Sequence, residues 1–333
     1  MKVEVYKLFK KDPILLHIGI RRMDRTSTII HSDTLFSALC NSLIKLFGEE
    51  SFEIFEKYLL ISSMFIGLRG TKKDLLFLPV PEIPISLPKK EDLYNKKYKR
   101  IQWISWEVLN KFIKYFNKEE NNIILENVDE FKFLNSKFLI TKEEFEEIKE
   151  EIIFMDTVLE PKVCIDRDTN EPNLYFQENL LIYSPKTSSN LVLNPFLYFL
   201  KIPNDKLETL FISTLNLFIE DGIGGERSTG KGSFDYYEKN EIELSDNGNY
   251  EITLSLTIPK KEEISNLIYY QIVKRDGFIY FEKPIGLKKK THYKIKEGAL
   301  VKSPYIGENI DASPLRDFKV ISYGKNLGYK FFG

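Results

Sequence analysis

The stretch GIGGERSTGKG at residues 222–232 constrains this chain more than any other. It sets five glycines (Gly222, Gly224, Gly225, Gly230 and Gly232) among Arg227, Ser228, Thr229 and Lys231. Before it, Leu207, Leu210, Phe211, Thr214, Leu217 and Phe218 recur at helical spacing, which predicts a helix over 204–221 that Gly222 stops; residues 233–237 then read as a strand. A chain that leaves a helix and enters a strand through this loop needs backbone angles that Cβ-bearing residues resist. The same glycines bring N–H groups close to an oxyanion, while Arg227 and Lys231 supply charge, and together these are the ingredients of phosphate binding. A tight turn alone needs fewer glycines and no cations, so the loop reads as a binding element.

Two nucleotide-binding motifs fail on it. Gly225-x-x-x-x-Gly230-Lys231 follows a Walker A loop until its last position, where Gly232 replaces the hydroxyl that holds Mg²⁺. The context is also reversed, because a P-loop runs from strand to helix and seats phosphate on the helix N-terminus. The dinucleotide pattern GxGxxG breaks at Arg227. An ATPase and a dinucleotide enzyme are therefore disfavoured.

With 333 residues and 43% hydrophobic content, the chain has material for about two domains at ~150 residues each. Lys and Arg total 48 against 49 Asp and Glu, a net charge of −1, so the whole surface is no basic nucleic-acid coat. Cys40 and Cys164 make neither a disulfide framework nor a tetrathiolate site, which points to a reducing compartment. His17, His31 and His292 show no metal-binding spacing, and neither metal nor cofactor is expected. The opening MKVEVYKLFKKD lacks the apolar core of a signal peptide, and no apolar run reaches the ~18 residues of a membrane span. The expectation is a soluble, cytoplasmic protein.

Along the chain, two opening strands precede a helix capped by Ser32 or Asp33 and stopped by Gly48; a shorter helix begins at Ser51, and strands follow at 62–68 and 75–79. Four prolines in PVPEIPISLP (79–88) open an insertion of extended surface chain. Within it, Ser105 caps one helix and the capping box Thr141–Glu144 opens another, whose glutamates between Glu143 and Glu151 read as a solvated face. From Asp166 the chain reads DRDTNEPNLYF and then ENLLIYS, a long hairpin with a polar tip, and a smaller β-rich part starts near Tyr250.

A helix ending in GIGGERSTGKG and entering a strand resembles the glycine-rich loop of the RAMP superfamily of CRISPR proteins. HSDTLFSAL after the opening strands, LPVPEIPISLP, VCIDRDT and SYGKNLGY agree with one branch. They resemble the subunit-four family of type III-A (Csm) effector complexes, which caps the five-prime end of the guide RNA. The resemblance implies an α+β fold of tandem ferredoxin-like, RRM-related domains with the glycine-rich loop and an inserted β-hairpin thumb. It places an N-terminal domain at 1–240, with the insertion and thumb at about 80–185, and a smaller, degenerate domain at 241–333. It implies a non-catalytic subunit that binds the guide RNA (crRNA) and its target duplex and joins a large polymerase-like signalling subunit to a backbone RAMP subunit. The alternative is a metal-independent endoribonuclease that trims guide precursors.

RNA binding at a net charge near zero requires clustered cations. Residues 283–302 hold seven lysines, with Lys288, Lys289 and Lys290 consecutive, against Glu297 alone; residues 89–100 hold Lys89, Lys90, Lys96, Lys97, Lys99 and Arg100. Tyr94, Tyr98 and Tyr293 stack on bases in one reading and cover core edges in the other. Arg21 and Arg22 stand where an RRM-like sheet meets a bound strand, or are merely solvated. In the loop, Gly222, Gly224 and Gly225 would allow close approach, Arg227 and Lys231 would pair with phosphates, and Ser228 and Thr229 would bond phosphate or sugar. Asp166 and Arg167 would sit on the thumb. Asp33 invites a catalytic role but reads better as a helix cap, His31 shows no partner nearby in sequence, and Cys40 falls on a buried helix face.

Overall fold

Strand β1 (Lys2–Phe9) lies inside an eight-stranded sheet and is buried almost throughout in the computed structural model of the chain. The structure describes residues 1–11, 13–20, 22–87, 96–166, 168–188, 191–279, 287–315 and 319–333. After β1 come β2 (Ile14–Leu16), α1 (Ser32–Phe47), α2 (Phe52–Tyr58), β3 (Phe65–Arg69) and β4 (Asp74–Pro79). The next segment carries β5 (Trp103–Ser105), α3 (Trp106–Lys114), β6 (Phe131–Phe133), β7 (Phe138–Thr141), α4 (Lys142–Ile148) and the hairpin strands β8 (Met155–Ile165) and β9 (Pro172–Ile182). Then follow β10 (Asn194–Lys201), α5 (Glu208–Asp221) and β11 (Tyr236–Glu243). The remainder holds β12 (Tyr250–Thr253), β13 (Leu267–Tyr269), β14 (Ile272–Arg275), β15 (His292–Ile295), β16 (Leu300–Lys302) and β17 (Gly328–Phe331).

The large sheet runs β6-β7-β5-β4-β3-β10-β1-β11. Its portion β11-β1-β10-β3 is antiparallel at every step and has the order fourth, first, third, second that a βαββαβ chain adopts, with α1 and α5 as the crossovers packed side by side. Aromatic rings seal this layer: Tyr6 of β1 stacks on Phe199 at 5.3 Å and meets Phe211 of α5 edge-on at 5.2 Å. Deleting a buried ring of this kind costs about 3–5 kcal/mol. A second sheet, β13-β16-β12-β17, and the pair β14–β15 form the C-terminal part. It is joined to the first by buried hydrogen bonds, among them Ser63 N–H to the Leu254 carbonyl at 2.9 Å and Leu256 N–H to Ser32 Oγ at 3.0 Å. Among the described residues, no helix is long and apolar enough to cross a membrane.

Local helix signals mostly hold. Ser105 Oγ accepts from Val108 N–H at 3.2 Å and donates to Glu144 at 2.6 Å, while Thr141 and Glu144 form the full capping box. Gly48 and Gly222 end their helices at positive φ, 80° and 73°. Three expectations need correction. The N-cap of α1 is His31, without a side-chain capping bond, because Ser32 and Asp33 are turned to other partners. Ser51 Oγ donates back to the Gly48 carbonyl and caps nothing. The helix expected from 204 begins at Glu208, because Asn204 Oδ1 first accepts from Lys206 N–H in a turn.

Candidate nucleic-acid interface

The glycine loop crosses from α5 to β11 along β2. Gly225 N–H donates to the His17 carbonyl at 2.8 Å, Gly232 N–H to Leu15 at 3.0 Å, and Ile223 N–H to Gly232 at 3.0 Å. A Cβ at Gly232 would run into the Ile223 carbonyl oxygen, and one at Gly224 would lie 2.7 Å from the His17 oxygen. Within the chain, the close approach that Gly222, Gly224 and Gly225 allow is made to the loop's own backbone and to His17. The N–H groups of Gly222, Ile223, Gly225, Thr229, Gly230 and Gly232 likewise donate to carbonyls inside the protein.

His17 itself is held by the hairpin. Its Nδ1 lies 2.8 Å from the Glu178 carbonyl, and since a carbonyl only accepts, Nδ1 carries the hydrogen. The polar face of the hairpin supplies the rest of the anchorage. Glu160 and Lys162, two residues apart on β8, point to one side as strand alternation demands. Lys231 Nζ lies 2.7 Å from Glu160 and 2.7 Å from Glu226; Lys162 Nζ lies 3.1 Å from Glu226. The Lys231 ammonium holds Glu160 and Glu226 below the usual glutamate range. Burial works against the charge of Lys231, but the two carboxylates outweigh it and raise its pKa. Lys231 is only 9% exposed and clips the loop to the hairpin. Two lysines and two glutamates leave this clip neutral.

What faces outward is the tip. Arg227, Ser228 and Thr229 form a short 3₁₀ turn in which Ser228, Thr229 and Gly230 are exposed and Arg227 is half-buried. Thr229 Oγ1 donates to the Glu226 carbonyl at 2.8 Å. Asp166 builds the hairpin tip: its Oδ1 accepts from Asp168 N–H at 2.8 Å and from Thr169 N–H at 3.0 Å, which hold its carboxyl below the usual range. The other face of the hairpin is apolar and exposed, with Val163 paired to Leu174 and Pro161 to Phe176.

The remaining sequence candidates lie elsewhere. Arg21 and Arg167 fall outside the described residues, as do Lys89, Lys90, Tyr94 and Lys283; Arg22 lies in the strand Arg22–Thr26. Lys288 sits 5.0 Å over the Phe278 ring, Lys290 is exposed, and Lys289 is half-buried, with burial pulling its ammonium pKa down. The basic run is thus not one uniform cationic surface. Tyr98 is buried edge-on against Phe133 and belongs to the core, whereas Tyr293 is exposed. Cys40 is buried, as its helix position predicts.

Asp33 and His31, the two residues that invite a catalytic role, are buried between the N-terminal and C-terminal parts. Arg275 contacts both oxygens of Asp33 at 2.8 and 2.9 Å, and Lys294 Nζ lies 3.0 Å away. Burial alone would raise the Asp33 pKa, but these two cations hold it well below the usual range. His31 Nδ1 lies 2.9 Å from Glu297, which also accepts from Ser63 Oγ. Asp33 as a cap is thereby corrected to Asp33 as an inter-part ion pair. Among the described residues no group of three His, Cys, Asp or Glu side chains is placed to hold a metal. The residues that sequence reasoning missed are His17, Glu160, Lys162, Glu178 and Glu226; the one available signal was the Glu160/Lys162 alternation, which names a face without naming what it faces.

The RAMP superfamily model matches residues 14–235, and the model of the CRISPR Csm4 C-terminal domain matches residues 246–331. The CRISPR system Cms protein Csm4 of Methanocaldococcus jannaschii is 29% identical over 339 residues, covering 90% of this chain and 86% of that protein. A chain in the crystal structure of the Csm3-Csm4 subcomplex of the type III-A CRISPR-Cas interference complex superposes with a TM-score of 0.67 at 24% identity, covering 98% of this chain and 99% of that one. With the first of these models spanning more than half of the residues, from β2 through the glycine loop, and a Csm4-type domain completing the chain, the protein belongs to the RAMP superfamily and resembles its Csm4 branch.

Proposed function

We propose that this chain is a non-catalytic RNA-binding subunit of a cytoplasmic type III-A CRISPR interference complex, holding the five-prime handle of the guide RNA and joining the large signalling subunit to the backbone RAMP subunits. The observation that carries the reading is the clip of Lys231, Glu160, Glu226 and Lys162, which seats the glycine loop on the polar face of the hairpin and leaves the loop tip and the apolar hairpin face open. In this reading the tip meets the handle through Arg227, Ser228 and Thr229, and the hairpin is a thumb that wedges the guide–target duplex. The N-terminal domain spans 1–240 with its insertion, and 241–333 is a degenerate second ferredoxin-like copy. The Csm4 of the solved subcomplex is seated with Csm3, which supports a backbone RAMP partner. The endoribonuclease alternative needs an available general acid and base, and its His31 is committed to Glu297.

Co-expression with a Csm3-type subunit and a guide RNA tests this. A stable heteromer by light scattering is expected, with the RNA five-prime end protected from nuclease. A chain that stays monomeric with partner and RNA present overturns the reading, and so does a discrete RNA cleavage product abolished by His31→Ala.

A further inference from the structure

Beside the glycine loop, an open cleft of about 450 Å³ lies between the end of β1, the base of the hairpin and the starts of β10 and β11. That volume is at the small-ligand end of the roughly 300–1,000 Å³ typical of binding pockets, large enough for one nucleotide and too small for a duplex. Its wall is an aromatic platform. Tyr236, 43% exposed, lies parallel to Phe9 with centroids 5.0 Å apart and planes 11° apart, as their register pairing on β1 and β11 requires. The Arg69 guanidinium sits 4.4 Å from the Phe9 centroid and is fixed by Glu238 and Asp74, so the platform is rigid before any ligand arrives.

Charge and hydrogen bonding surround this ring. Lys10 Nζ reaches the Gly230 carbonyl at 3.1 Å and Ser233 Oγ at 2.9 Å, linking the cleft to the glycine-loop tip, and Lys11 is exposed at the rim, with its N–H donated to Asp235. Across the opening, Ser184 Oγ donates to Asn194 Oδ1 at 3.3 Å, a hydroxyl and an amide suited to a base edge. An exposed rigid ring flanked by cations is the arrangement on which single-stranded bases stack.

We propose that this cleft is a single-nucleotide subsite for unpaired RNA, with one base stacked on Tyr236, its phosphate near Lys10 and Lys11, and its edge toward Ser184 and Asn194. The inference rests on the RNA-binding function proposed above. It adds a defined place where the strand leaving the loop tip turns a base out of line.

The test uses the full chain and RNAs in which 2-aminopurine replaces one base at successive positions. Wild-type protein is expected to quench one position strongly. Tyr236→Phe keeps the quenching, whereas Tyr236→Ala abolishes it and weakens binding roughly tenfold, with circular dichroism unchanged in both. If the wild type binds RNA, Arg227→Ala weakens that binding, and yet no position is quenched and Tyr236→Ala binds normally, the subsite falls while the parent function stands. If the wild type binds no RNA at all, the parent function falls. If Tyr236→Ala disrupts only assembly with the backbone subunit at unchanged RNA affinity, the cleft is a protein contact and the proposal is overturned.

Discussion

The glycine-loop clip and the Asp33 cluster are made of the same materials, lysine or arginine against carboxylate, at opposite depths. In the clip, the Glu160, Glu226 and Lys162 side chains keep about a third of their exposure, and water shares the work of solvating them. In the cluster, Asp33 is 3% exposed and Lys294 fully buried, so each charge depends on its partners alone. The difference shows that chemical type does not settle depth or partner: a lysine of the glycine-rich loop anchors that loop to the hairpin, and an acid that reads locally as a helix cap joins two parts of the chain. Removing one partner of a buried pair costs about 3–5 kcal/mol, whereas an exposed pair is worth about 0–1 kcal/mol.

The largest effect is therefore expected at the cluster. Asp33→Ala leaves Arg275 and Lys294 facing each other without a counter-charge and should destabilise the chain by about 3–5 kcal/mol in urea unfolding. A loss below about 1 kcal/mol would mean that the two parts are not held by this joint.

Acid and base should separate the cluster from another buried carboxyl. Asp33, with a depressed folded pKa, contributes stability above its unfolded value that is lost as pH falls through the acidic range. Glu251 behaves oppositely: burial pushes its carboxyl up to about 7, so its contribution is present below the unfolded value near 4.5 and is lost as pH rises to about 7. Glu251→Gln should remove that alkaline-side loss, on the order of 2 kcal/mol between pH 5 and pH 8. Unfolding curves across this range that overlay for wild type and variant would show that Glu251 ionises freely.

At the clip, Lys231→Ala strands two glutamates but leaves Lys162 in place, and the expected cost is about 1–2 kcal/mol by the same unfolding measurement. A loss as large as that of Asp33→Ala would erase the contrast between the two sites.

The smallest effect sharpens the contrast most. In fluorescence-anisotropy salt titrations, Arg227→Ala should lower the log–log slope for single-stranded RNA by ~0.7, the share of one phosphate contact. Lys231→Ala should leave the slope unchanged, because its charge is already neutralised within the protein. Equal slopes for Arg227→Ala and wild type would take the loop tip off the RNA.

Elements whose signals are local were legible. Ser105 and the Thr141–Glu144 box cap their helices because donor and acceptor lie within one turn, and Gly48 and Gly222 stop theirs because positive φ is a property of one residue. The hairpin was legible from its polar tip and its second arm, whereas the first arm, Met155–Ile165, precedes the stretch from which the sequence reads it. The site was read less well. Ser32 and Asp33 satisfy every local rule for a cap, yet Asp33 meets Arg275 and Lys294 at separations of 242 and 261 residues. Lys231 meets Glu160 across 71 residues, through a hairpin register that no motif encodes.

By itself, then, the amino-acid sequence determined where α3 and α4 begin and where α1 and α5 end, that a glycine-rich turn links α5 to β11, and which charges were available, because propensity, capping and backbone freedom act over a few residues. Tertiary structure alone decided which charge meets which: β2 draws the loop backbone onto His17, the hairpin brings Glu160 to Lys231, and the C-terminal part brings Arg275 and Lys294 to Asp33. The physical reason is that an ion's pairing depends on distance and desolvation. Both are set only when sheets and helices separated by tens to hundreds of residues pack together.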